Sequence, residues 1–84
     1  MEGGLIFLTE KEWRLKFANK VLSKMKNLGI TQRELAAMAS IPECNLSRYL
    51  KRTRTPKADI IANLARALEC SVAELIQFGE MVTH

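Results

Sequence analysis

Basic side chains are concentrated in one short stretch near the middle of the sequence. Between positions 42 and 57 a single acid, Glu43, is accompanied by five cations: Arg48, Lys51, Arg52, Arg54 and Lys57. The net charge of this stretch, +4, equals that of all 84 residues, whereas residues 58–84 carry −3. Such a one-sided distribution favours binding of a polyanion, with the C-terminal region turned away from it. A solvated charged loop would have the same composition, so charge alone leaves both interpretations open.

The sequence offers no set of residues for catalysis or for metal binding. Cys44 and Cys70 stand far apart without a CxxC pair, and the single histidine is His84. A zinc site usually needs four such ligands, so we expect no metal, no cofactor and no enzymatic activity. No stretch resembles a secretion signal or reaches the ~20 apolar residues of a membrane span. We therefore expect a cytoplasmic protein with reduced thiols and no membrane partner.

Helix starts are the strongest local signals. Three Ser/Thr-x-x-Glu capping boxes occur, in which the hydroxyl and the carboxylate each bind a backbone N–H at the other position. They are Thr9 with Glu12, Thr31 with Glu34, and Ser71 with Glu74. Such a cap stabilises a helix by about 1 kcal/mol, and we expect a helix to begin after each one.

Apolar residues recur at helical spacing in five segments, and residues 4–8 are the one segment whose pattern could also suit a strand. The predicted helices are residues 10–27, 32–39, 42–51, a fourth from Pro56 to about 68 with Thr55 as its N-cap, and 72–78. Gly29 is placed to end the first helix in a left-handed conformation. We predict an all-α fold, a compact five-helix bundle. Its domain would span residues 10–79, between an N-terminal arm at 1–9 and a tail at 80–84.

The second and third predicted helices are joined by Ala39, Ser40 and Ile41 alone. So short a connection prevents side-by-side packing and holds two helices at a large angle, as in a helix-turn-helix. In the third helix, Leu46 and Leu50 face the body of the domain, while Cys44 and Arg48 point the opposite way. The sequence therefore predicts an exposed, basic third helix.

These segments resemble the lambda-repressor-like, Cro-type helix-turn-helix family. The resemblance covers roughly residues 17–75 and is carried by Thr31–Ala36, Leu46–Tyr49, Arg54–Pro56, Leu64–Leu68 and Ser71–Leu75. It implies a five-helix bundle with the third helix in the DNA major groove, and a dimer on a pseudo-palindromic site. Ser40 departs from the glycine common in the family turn. A left-handed serine there would cost on the order of 1 kcal/mol.

The resemblance and the helical faces together predict the DNA contacts. We expect Arg48 to bind guanine, Asn45 to bind adenine, and Cys44 to lie against a thymine methyl group. Phosphates would be bound at the start of the second helix, where free N–H groups favour anions, and around the end of the third. The expected phosphate contacts are Thr31, Gln32, Ser47, Lys51, Arg52 and Arg54.

The expected function is that of a small sequence-specific transcriptional regulator, in this family most often a repressor, that binds double-stranded DNA as a homodimer. An antitoxin with a protein partner, or a protein-interaction module that has lost DNA binding, would have the same fold. The fifth helix and the apolar residues 5–8 are the candidate dimer surfaces, although Leu75 is expected to belong to the core. The segment 1–9 would either pair subunits, fold over the bundle or fray.

Overall fold

The computed structural model describes residues 9–76, which form five α-helices and contain no β-strand. The helices are α1 (Glu10–Leu28), α2 (Gln32–Ala39), α3 (Glu43–Leu50), α4 (Ala58–Ala67) and α5 (Val72–Ile76). This architecture confirms the predicted all-α fold. Three predicted features lie outside the described residues: the arm apart from Thr9, the end of the fifth helix at 78, and the tail at 80–84.

The predicted capping boxes account for where the helices start. At α1, the Glu12 N–H donates to the Thr9 hydroxyl and the Thr9 N–H donates to the Glu12 carboxylate, both at 3.0 Å. The same reciprocal pair begins α2. At α5, the Glu74 N–H donates to Ser71 Oγ at 3.0 Å. These bonds join residues three positions apart, which is why a local sequence pattern predicts them.

The predicted start of α4 is wrong. The N-cap is Lys57, with φ −82° and ψ 168°, and the helix begins at Ala58 rather than at Pro56. Thr55 does not cap the helix, because its hydroxyl is bound by side chains of α1. Pro56 is buried, so the chain stays non-helical for two more residues. A tertiary contact thus overrides the local Thr-Pro signal.

The first four helices end in the same way. The residue after each C-terminal turn is left-handed, with φ of 69° at Gly29, 58° at Ser40, 67° at Arg52 and 60° at Glu69. The next residue donates its N–H to a carbonyl five positions earlier, for example Ile41 to Ala36 at 3.0 Å. This is the Schellman arrangement. Glycine occupies only the first of the four positions, so the other three carry the strain of a Cβ in the left-handed region.

The core lies where the helices meet, and it is aliphatic apart from Phe17 and Tyr49. α3 packs on α1 and α2, α4 packs on α2 and α5, and α5 packs on α1. Leu46 and Leu75 are fully buried, which confirms Leu75 as a core residue. No helix of residues 9–76 is both long enough and apolar enough to span a membrane. The packing buries one face of α3 and leaves the other exposed.

Candidate nucleic-acid interface

The two faces of α3 differ sharply in burial. Leu46 and Tyr49 are buried in the core, at 0% and 6% exposure. Cys44 and Arg48 are exposed on the opposite face, with Asn45 and Ser47 half-buried at its edges. The Cys44 thiol lies 3.8 Å from Asn45 Oδ1, close enough for a weak S–H···O contact. The exposed face is therefore short, polar and basic, which suits the edges of base pairs.

A basic loop, residues 51–57, follows α3. Its cations are Lys51, Arg52, Arg54 and Lys57, and all four are exposed. None of them, nor Arg48, forms an ion pair with another residue of the range 9–76. Cations without internal partners repel one another, and an external polyanion would relieve that repulsion.

The start of the basic loop is held by the end of α3. Arg52 is left-handed, and its N–H donates to the Tyr49 carbonyl at 3.1 Å. Thr53 then donates twice to the Arg48 carbonyl, from its N–H at 3.0 Å and from its hydroxyl at 3.1 Å. These bonds fix the direction in which the chain leaves the helix.

The far part of the loop is held by the first turns of α1, through what we call the Glu10–Arg14–Thr55 network. The Thr55 hydroxyl donates to Glu10 Oε2 at 2.6 Å and accepts from Arg14 Nε at 2.7 Å. Arg14 Nη2 also donates to Glu10 Oε2 at 3.0 Å. The bond from Thr55, and next the charge of Arg14, lower the pKa of Glu10 below its usual 4.5. The sequence analysis does not predict this network, because it assigns Thr55 to a helix cap and the partners of Thr55 lie more than 40 positions away.

The start of α2 has hydrogen-bond donors that the capping box uses and others that it leaves available. The Thr31 N–H donates to Glu34 Oε1 at 2.8 Å, and the Thr31 hydroxyl oxygen accepts from the Glu34 N–H at 3.1 Å. The hydroxyl hydrogen of Thr31 is not used in these bonds. Gln32 is half-buried at the first helical position. A helix N-terminus with such donors favours an anion.

The start of α4 forms a second site of this kind, which sequence reasoning assigned only in part. A cavity of about 380 Å³ is lined there by Tyr49, Arg54, Thr55, Lys57, Asp59 and Ile60. Lys57 occupies the N-cap without a side-chain capping bond. A cation at a helix N-terminus is unfavourable by itself, but an anion between the two would be attracted by both. The sequence signal for this second site was the position of Lys57 within the basic stretch 42–57.

The region around α5 has the opposite character. Glu74 forms an ion pair and hydrogen bond with Lys24 of α1, and this bond lowers the pKa of Glu74 and raises that of Lys24. The Cys70 thiol beside them has a raised pKa, chiefly through burial, so it stays protonated at neutral pH. Here the charges are paired within the protein, in contrast to those of the basic loop.

Comparisons with known proteins agree with this geometry. A family model described as helix-turn-helix matches residues 21–75. The fold is similar to that in the crystal structure of the hypothetical transcription factor NHTF from Neisseria, with a TM-score of 0.78 and 20% sequence identity. That alignment covers 87% of this chain and 84% of the other. No match to a curated protein was found.

Proposed function

The chain belongs to the helix-turn-helix family of DNA-binding regulators, and from that premise we propose that it is a sequence-specific repressor of transcription that inserts α3 into the major groove. The observation that carries this proposal is the exposed face of α3, which joins directly onto a loop of cations that form no ion pair within the described residues 9–76. DNA supplies both a groove wide enough for a helix and the phosphates that such cations bind.

Base recognition is assigned to three residues of the exposed face. Arg48 forms no ion pair with another residue of the range 9–76, and its guanidinium can donate two parallel hydrogen bonds to guanine O6 and N7. Asn45 can pair with adenine N6 and N7, and the weak contact from the Cys44 thiol to Asn45 Oδ1 can give way on binding. Cys44 then becomes free to lie against a thymine methyl group. The proposed half-site therefore contains guanine, adenine and thymine within a few base pairs.

Phosphate binding is assigned to the residues on either side of this face. We propose contacts from Thr31 and Gln32 at the start of α2, from Ser47 beside the exposed face, and from the basic loop through Lys51, Arg52 and Arg54. The geometry at the start of α4 adds Lys57 to this set. These contacts carry no sequence information but orient α3 in the groove.

We further propose a cytoplasmic homodimer. One helix-turn-helix unit gives limited affinity, and two units with their recognition helices about 34 Å apart would contact half-sites one turn of DNA apart. The proposed pairing segments are the arm at residues 1–9 and the helix α5. The domain itself is taken as residues 10–79. Sedimentation at micromolar concentration, with and without residues 1–8, tests the arm.

Selection of bound duplexes from a random library, followed by substitution of Arg48, tests the main proposal. Arg48→Ala should weaken binding to the selected site by about 1–3 kcal/mol and bring it close to the affinity for a site mutated at the guanine. Arg66→Ala is the matched control, because Arg66 is also exposed but bonds to Asn63 within α4 at 3.4 Å. Equal losses on every sequence would reduce Arg48 to a phosphate contact.

An antitoxin or a protein-interaction module remains the alternative, and one observation favours a protein partner. Leu15 and Leu22, seven positions apart on α1, are 38% and 45% exposed, so the side of α1 that carries them is open to a partner. If a gel shift with pooled random duplexes at low salt retains no DNA, this alternative replaces the main proposal.

A further inference from the structure

The first turns of α1 contact the basic loop, although they lie before the segment of the family match. That match begins at residue 21, whereas Glu10 and Arg14 lie more than six residues earlier. Their only described side-chain bonds outside α1 go to Thr55, 45 and 41 positions further along the chain. The early part of α1 therefore lies before the segment that the family model matches, and it contacts the basic loop.

Thr55 is suited to this contact because a hydroxyl donates and accepts at the same time. The Thr55 hydroxyl donates a hydrogen bond to the Glu10 carboxylate and accepts one from the Arg14 guanidinium, while the Glu10 and Arg14 side chains also bond to each other. The result is a closed triangle of three hydrogen bonds. Each bond includes a charged group, and charge-assisted bonds are stronger than neutral ones.

The triangle lies directly beside the cations of the loop. Arg54 precedes Thr55, and Lys57 follows after the buried Pro56. On the other side, a groove of about 340 Å³ separates the first turns of α1 from the end of α3, and its lining includes Lys11, Leu15, Lys51 and Arg52. The network therefore joins α1 to the loop beside the positions at which phosphates would be bound.

We propose that the Glu10–Arg14–Thr55 network positions the basic loop for phosphate binding, so that Thr55 and Glu10 act on DNA affinity through the placement of Arg54 and Lys57. This inference rests on the proposed DNA-binding function. A loop that is already held in its bound conformation loses less entropy on binding. If release of the network left the loop correctly placed only a fifth of the time, the apparent affinity would fall about fivefold.

Three variants of the full chain test the inference on the selected duplex. Thr55→Val keeps the shape but removes both bonds, and it should weaken binding about fivefold. The slope of log K against log salt should stay the same, because the loop makes the same phosphate contacts once it is bound. Thr55→Ser keeps the hydroxyl and should bind within about twofold of the wild type. Glu10→Leu is the sharpest case, because it removes both acceptor bonds together with the acid. Removing an acid near DNA strengthens binding if charge alone matters, whereas loss of the network weakens it.

Glu74→Gln is the matched control, since Glu74 also joins α1 to a distant element but lies away from the basic loop. It should lower thermal stability without changing affinity or the salt slope. Thermal unfolding of each variant confirms that the folded protein is being compared. If the wild type binds while Thr55→Val and Glu10→Leu bind equally well, the inference fails alone. If the wild type retains no duplex, the proposed function fails and the inference with it.

Discussion

Replacement of Ser40 by glycine should stabilise the protein without changing its DNA contacts. Ser40 is left-handed, at φ 58° and ψ 41°, and it ends α2 within the turn of the helix-turn-helix. Its N–H and that of Ile41 are both bound to carbonyls of α2, at 3.2 and 3.0 Å. These two bonds therefore hold the Ser40 backbone in the left-handed conformation.

The magnitude follows from two opposing terms. A Cβ in the left-handed region costs roughly 1–2 kcal/mol, which glycine avoids. Glycine also gives the unfolded chain more conformational freedom, which costs about 0.4–1 kcal/mol on folding. The two ranges differ by about 0–1.6 kcal/mol, and the middle of that interval, about 0.5–1 kcal/mol, is the net stabilisation expected for Ser40→Gly. In a domain of this size it corresponds to a rise in Tm of roughly 2–8 °C.

Urea unfolding followed by circular dichroism measures this change, with Ala37→Gly as the control. Ala37 is exposed in the same helix but has ordinary helical geometry, so glycine there should destabilise by about 1 kcal/mol. Glu69→Gly, at the equivalent position of α4, should stabilise as Ser40→Gly does. A loss of stability in Ser40→Gly, or an equal loss in both α2 variants, would refute the reasoning from backbone strain.

Three further predictions concern pH, packing and salt. The pKa values of Glu10, Glu12 and Glu74 are lowered by their hydrogen bonds. Their stabilising effect is therefore complete above pH 4.5 and is lost as the pH falls through the lowered pKa values of the folded protein. The Tm should drop in that pH range, and the drop should be less steep in Glu12→Gln. Leu46→Ala removes a fully buried side chain and should cost about 2–5 kcal/mol in chemical unfolding. If about six of the Lys and Arg contacts proposed for a dimer neutralise phosphates, log K should fall with log salt at a slope of roughly −5, and an affinity independent of salt would contradict the contacts.

Much of the fold was predictable because its signals are local. The start of α1, both ends of α2 and the glycine at position 29 depend on bonds between residues no more than five positions apart. The exposed face of α3 was also predictable, since helical geometry places Cys44 and Arg48 opposite Leu46 once Leu46 is taken as buried. The family match adds that these helices form a helix-turn-helix.

The sequence by itself determined the helices, the buried face of α3 and the concentration of cations after it, because each is set by residue type and short spacing. Tertiary structure alone decided where α4 begins and how the basic loop is held. Both depend on Thr55, whose hydroxyl could have capped a helix but instead meets Glu10 and Arg14 across more than 40 positions. A hydroxyl forms whichever bonds the folded chain brings within reach, and charged partners in a fixed geometry bind it more strongly than a backbone amide does.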